Sequence, residues 1–165
     1  MESRVKFLGH GIHPIMIVFP LGLLATAVVF DIIHLIGGNP TFAVVSYWMI
    51  SAGLIGAAIA APFGWIDWFG IPSGTRAKSI GLMHGLGNVT ALLFFVASWW
   101  FRHDAPERPE MLASLFSFIG AGLATVAGWL GGELVERLGV GVHEGTHVDA
   151  PSSLVTSSAR DGGKG

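Results

Sequence analysis

The sequence predicts an all-α fold, an integral membrane four-helix bundle with both termini cytoplasmic. Three observations carry this reading. Four apolar runs, Ile12 to Ile36, Phe42 to Trp65, Ile80 to Phe101 and Leu112 to Leu130, approach or exceed the roughly 20 residues that bridge the hydrocarbon at about 1.5 Å per residue, the fourth only marginally. The 165 residues are 52% hydrophobic and 12% charged, against about 25% charged in a soluble domain, and mean hydropathy is +0.63. The runs also lack barrel-strand alternation, and lipid offers a free backbone N–H or C=O no partner, so the spans are expected to be helices.

The elements follow in order. Helix one is expected over about 14–36, with Pro14 in its first turn and His13 as cap, and Gly37-Gly38-Asn39-Pro40 supplies a turn signal after it. Helix two is expected over about 42–66, before Ile71-Pro72-Ser73-Gly74, helix three over 79–101 and helix four over 111–134. Short connections make neighbours antiparallel. Residues 1–134 form the bundle. Residues 135–165 are expected to be a largely disordered cytoplasmic tail, Ser152 to Gly165 being small, polar and Gly-rich. Ala25-Thr26-Ala27 behind Arg4 and Lys6 raises the alternative of a cleaved signal peptide, but apolar sequence continues through Phe30.

Orientation rests on Lys and Arg in short loops, which resist translocation. Arg4, Lys6, Arg76, Lys78 and Arg137 fall on one side with tail residues Arg160 and Lys164, whereas Arg102 and Arg108 sit among Asp104, Glu107 and Glu110 on the other. Trp48, Trp99 and Trp100 mark the outer interface and Trp65, Trp68 and Trp129 the inner one. The inner membrane of a bacterium is the expected location, and the lipid bilayer the first partner. Absence of cysteine excludes disulfides and thiolate-held iron–sulfur clusters, and a net charge of −2 argues against nucleic acid.

Small residues four apart permit close helix approach in lipid. Gly120, Ala124, Gly128 and Gly132 form one such stripe, Gly56, Ala60 and Gly64 a second, and Gly81 with Gly85 a third. They serve equally to build a homo-oligomer or to hold a monomer together.

Residues able to carry chemistry cluster by depth. His10 and His13 stand at the inner mouth of helix one, Asp67 past helix two, His84 and Asn88 in helix three, and Glu133 at the end of helix four. Ionisable groups at membrane depth are costly and usually face a cavity or the bundle interior. Each has a plainer role: His13 as a cap, Asp67 as a solvated helix end, Glu133 as partner of Arg137. His84 and Asn88 share a helix face beside Gly81, Gly85 and Gly87 and are hardest to explain by packing.

The set Gly9-His10-Gly11-Ile12-His13-Pro14, Phe19-Pro20-Leu21-Gly22, Asp31, Ile66-Asp67-Trp68, His84-Gly85-Leu86-Gly87-Asn88 and Gly128-Trp129-Leu130-Gly131-Gly132-Glu133-Leu134 resembles domain-of-unknown-function family 2231, bacterial predicted membrane proteins, over nearly the whole chain. The resemblance implies a four-span domain without settled activity, sometimes fused to Rieske or cytochrome c modules. Such fusions associate the family with electron transfer.

Helices one and three run parallel in this topology, so His13 and His84 lie at similar depth and suit one haem b iron approached from opposite faces, with Asn88 beside it and Gly85 or Gly128 making room. An outer pair of His34 and His103 fits worse, because His34 lies about 60° from the His13 face and His103 about 100° from His84. Asp31 with His34 reads as a hydrogen-bonded interfacial pair or, alternatively, as part of a proton path. The competing chemistry is a zinc or iron site of a membrane enzyme built from His10, His13, His84, Asp67 and Glu133. A third reading is a non-catalytic scaffold or partner subunit. An electron carrier would call for a redox protein or quinone as partner, although no motif identifies either. His143-Glu144-Gly145-Thr146-His147 matches the zinc-peptidase pattern, but that chemistry needs a helix and a cleft, and the segment lies in a polar tail.

Overall fold

The computed structural model describes residues 1–154. Of the tail expected to be disordered, residues 155–165 lie outside the described residues. Among the described residues there are four helices long and apolar enough to cross a membrane.

A short hairpin precedes them. Strand β1 (Lys6–Phe7) pairs antiparallel with β2 (His10–Gly11), and the two linking residues, Leu8 and Gly9, have φ of 48° and 85°. Positive φ at both central positions gives the turn the twist that a two-residue hairpin needs. Helix α1 (Ile12–Gly37) then runs until Gly38 adopts φ 69° and donates its N–H to the His34 carbonyl at 2.8 Å. Helix α2 (Pro40–Gly70) starts at once, with Asn39 Oδ1 accepting from the Thr41 N–H at 3.0 Å and Pro40 filling the first helical position, where a missing donor costs nothing. Helix α3 (Arg76–Trp100) is capped by Thr75, whose Oγ1 accepts from the Lys78 N–H at 3.1 Å. Helix α4 (Met111–Gly132) continues into a π-helical turn, Glu133–Arg137.

The helices run up and down. Asp31 near the end of α1 meets Arg102, just past the end of α3, together with Ser46 and Ser117 from the beginnings of α2 and α4. At the opposite end the Met1 ammonium donates to the Gly139 carbonyl at 3.0 Å and the Gly141 N–H to the Met1 carbonyl at 2.8 Å, so the start of the chain and the exit of α4 share one end of the bundle. His143 Nε2 approaches Glu2 Oε1 at 3.2 Å there, and the Lys6 ammonium bonded to Glu2 holds that carboxyl below the usual carboxylate range.

Packing is uneven. Helix α1 lies along α2 and α3 along α4 far more extensively than either hairpin touches the other. Leu24, Ala27, Ile50 and Phe95 form the buried centre. Large apolar side chains such as Val18, Ile36 and Trp129 instead point outward, 68%, 84% and 67% exposed, a surface that a bilayer covers and water would not.

The glycines that make close contact differ in part from the stripes read in the sequence. Gly128 and Gly132 have nothing within 4 Å of a built Cβ, whereas Gly120 meets Phe95 and Gly131 meets His84. The packed face of α4 is therefore rotated from the Gly120–Gly132 stripe. Gly53, outside any stripe, receives Leu24, and a Cβ there would come within 2.7 Å of its Cδ2 and Cγ.

Candidate functional site

His13 is the second residue of α1. Its Nδ1 lies 3.2 Å from the Ala60 carbonyl of α2, and its ring rests on Gly64, where a Cβ would stand 2.8 Å from Cε1. His84 repeats this arrangement on the other hairpin. Its Nδ1 lies 2.7 Å from the Ala127 carbonyl of α4, and its ring rests on Gly131, where a Cβ would stand 2.9 Å from Cε1. In both helices the glycine follows the alanine by one turn. With no side chain there, an alanine carbonyl already serving its own helix stays open to a neighbour's ring through its second lone pair.

A carbonyl only accepts, so Nδ1 of each ring must carry the proton. In the neutral imidazole Nε2 then keeps the lone pair. Asn88 braces His84: its Nδ2 donates to the His84 carbonyl at 2.9 Å and lies 3.3 Å from Nε2. Gly64 and Gly131 lie under the rings, Gly85 faces Trp65, and Gly128 has no neighbour within 4 Å of a built Cβ.

The other candidate metal ligands are committed elsewhere. His10 is exposed on β2, its Nδ1 3.2 Å from the Leu8 carbonyl. Asp67 accepts from Ser3 Oγ at 3.0 Å and from the Arg4 N–H at 2.7 Å, which ties the N-terminal segment to the end of α2. Glu133 pairs with Arg76 at 2.7 Å instead of the expected Arg137. Among the described residues, no three His, Asp or Glu side chains converge to hold an ion, so the five-residue metal set is not brought together. His34 and His103 stand apart too, the first bonded to the Asn39 carbonyl at 3.0 Å and the second 3.0 Å from Asp104. In the tail, the Thr146 N–H and hydroxyl bond the His143 carbonyl in a turn, and residues 143–147 form no helix.

A second polar site occupies the other end of the bundle, and here sequence reasoning missed the principal residue. Arg102, assigned to an outer loop, is 1% exposed. Its guanidinium grips Asp31 with two parallel bonds, Nη1 to Oδ1 at 2.8 Å and Nη2 to Oδ2 at 3.1 Å, and also donates to Ser46 Oγ, Ser98 Oγ and the Ser98 carbonyl. Ser117 donates to Asp31 Oδ2 at 2.5 Å. Asp31 thus serves Arg102, and the expected Asp31–His34 pair does not form. No buried side-chain N or O among the described residues lacks a partner. One signal was legible: Arg102 follows His84 by the same number of residues as Asp31 follows His13.

A bundle of four membrane-length helices, outwardly apolar and inwardly tied by one buried ion pair and two carbonyl-anchored imidazoles, defines a polytopic membrane protein. The chain belongs to the DUF2231 family of predicted membrane proteins, whose family model matches residues 9–144. No curated protein and no solved structure matches it.

Proposed function

We propose that this protein is an electron carrier of the bacterial inner membrane that binds one b-type haem between its two hairpins, where His13 and His84 would hold the iron. The observation that supports the reading is the paired posture of the imidazoles. Each hairpin offers one ring, and each ring has its Nδ1–H engaged by a helix carbonyl. Such a bond fixes the tautomer and ring orientation, increases the electron-donating power of Nε2, and is the usual companion of a metal-bound histidine. Two neutral imidazoles suit haem iron, and the group when bound supplies one-electron transfer. The chain's own residues would hold the ligands: Ala60 and Ala127 orient them, Gly64 and Gly131 let them approach, and the Asn88 amide, 3.3 Å from His84 Nε2, would have to turn aside for that nitrogen to meet iron. The partner in this reading is a quinone or a redox protein at the membrane surface.

The imidazole end faces the cytoplasm in this proposal. With Arg102 buried in the bundle, the outer connection keeps Arg108 as its one free Arg or Lys, which sharpens the charge bias toward the end carrying Arg4, Lys6, Arg76 and Lys78.

The test is an absorbance scan of the detergent-purified protein, oxidised and then reduced, with iron measured on the same sample. The expected result is a low-spin haem spectrum that disappears in His13→Ala and in His84→Ala, while helical content by circular dichroism is retained. Colourless, iron-free protein from haem-replete cells, or a spectrum indifferent to both substitutions, overturns the proposal and leaves a scaffold bundle.

A further inference from the structure

We infer that the chain consists of two equivalent helical hairpins related by a twofold axis along the bundle, and that Asp31 and Arg102, corresponding residues of the two halves, dock one half on the other and set how α1 and α3 face each other.

The correspondence is residue by residue. At one fixed separation in sequence, α1 and α3 pair His13 with His84, Pro20 with Ala91, Leu24 with Phe95, Ala27 with Ser98 and Asp31 with Arg102. Of these, all but the two histidines are buried. At a second, slightly shorter separation, α2 and α4 pair Gly53 with Gly120, Ala60 with Ala127 and Gly64 with Gly131.

Contacts obey the same exchange. Leu24 sits where Gly53 lacks a Cβ, and Phe95 where Gly120 lacks one. His13 lies on Gly64 and bonds Ala60, and His84 lies on Gly131 and bonds Ala127. Three contacts of one half thus map onto three of the other under a single pairing of the halves.

Most corresponding residues stay within their own hairpin, but Asp31 and Arg102 touch. Two residues that exchange places under the symmetry and also bond each other lie across its axis. A strict repeat would put like charges there and drive the halves apart. Opposite charges at this one position turn the repulsion into a bidentate bond. Because Asp31 lies on α1 eighteen residues and about five turns from His13, and Arg102 stands equally far in sequence from His84, the pair also constrains how the two histidine-bearing helices are placed relative to each other. Asp31 and Arg102 are positioning residues whether or not a cofactor is bound.

The chain has no cysteine, so spin labels can be placed without background. Ile15 and Leu86 correspond under the pairing and are 53% and 52% exposed, which makes Ile15→Cys with Leu86→Cys, in the otherwise native full-length protein, a direct reporter of the α1–α3 relation. Pulsed electron–electron resonance in liposomes is expected to give one narrow distance, lost to a broad or split distribution in Asp31→Ala and in Arg102→Ala. The exchange Asp31→Arg with Arg102→Asp is expected to recover the narrow distance, because the surrounding serine hydroxyls both donate and accept and can follow the swapped charges. An unchanged distribution in Asp31→Ala, or an exchange variant no narrower than the single variants, overturns the inference. Should a single variant fail to fold, the exchange variant decides alone: a folded protein with the narrow distance upholds the inference, and failure to recover it refutes it.

Discussion

Arg102→Ala is expected to be among the most damaging single substitutions in this protein, lowering stability by about 3–5 kcal/mol. The loss comes from what is left behind. Asp31 is 1% exposed, and without the guanidinium its carboxylate keeps only the Ser117 hydroxyl as a partner. An uncompensated charge at that depth must take up a proton or draw water into the bundle, and either route opens the contact between the hairpins. Asp31→Ala is expected to be comparably harmful, because it strands the cation among Ser46 and Ser98. The double variant Asp31→Leu with Arg102→Met is expected to be much milder than either single change, since removing both charges together leaves nothing unpaired. Unfolding of the purified protein by graded SDS, followed by circular dichroism, measures all three. A double variant as unstable as the sum of the singles would show that the pair acts as two independent residues.

The second large effect concerns the seats for side chains from the neighbouring helix. Gly120→Val is expected to push α4 away from α3 and to cost about 1–3 kcal/mol. Its Cβ would stand 3.0 Å from two atoms of the Phe95 ring and 3.1 Å from the Ala91 carbonyl, and the carbonyl belongs to a helix that cannot step aside. Gly128→Val, two turns further along α4, has nothing within 4 Å of its Cβ and is the matched control. Thermal denaturation should separate the two variants clearly. Equal losses would point to backbone entropy or helix propensity as the cause instead of helix contact.

What the sequence disclosed and what it concealed divide along one physical line. The number, length and apolar character of the spans are properties of each segment alone, so composition sufficed, and the turn at Gly37-Gly38-Asn39-Pro40 announced itself through its own chemistry. Arg102 was hidden because its meaning depends on another helix. It follows Trp99-Trp100-Phe101 and precedes His103 and Asp104, a context that reads as an exposed loop until α3 is seen to end and turn the guanidinium back toward Ser98. Asp31 was assigned to His34 for the same reason, since a partner three residues away is visible in one dimension and a partner across the bundle is not. Gly128 and Gly132 misled because a four-residue stripe shows which face of a helix is narrow without showing which face is covered. The partnership of His84 with Asn88 was legible as a one-turn spacing, whereas the Gly131 seat under the ring was visible only in the packed hairpin.

The equivalence of the halves has one mechanical exception. Pro20 lies inside α1 and Pro62 inside α2, while neither α3 nor α4 contains a proline. Each proline removes a backbone rung and weakens its helix against bending. The first hairpin therefore forgoes one helical N–H donor in the interior of each of its arms, a loss that the second hairpin does not share.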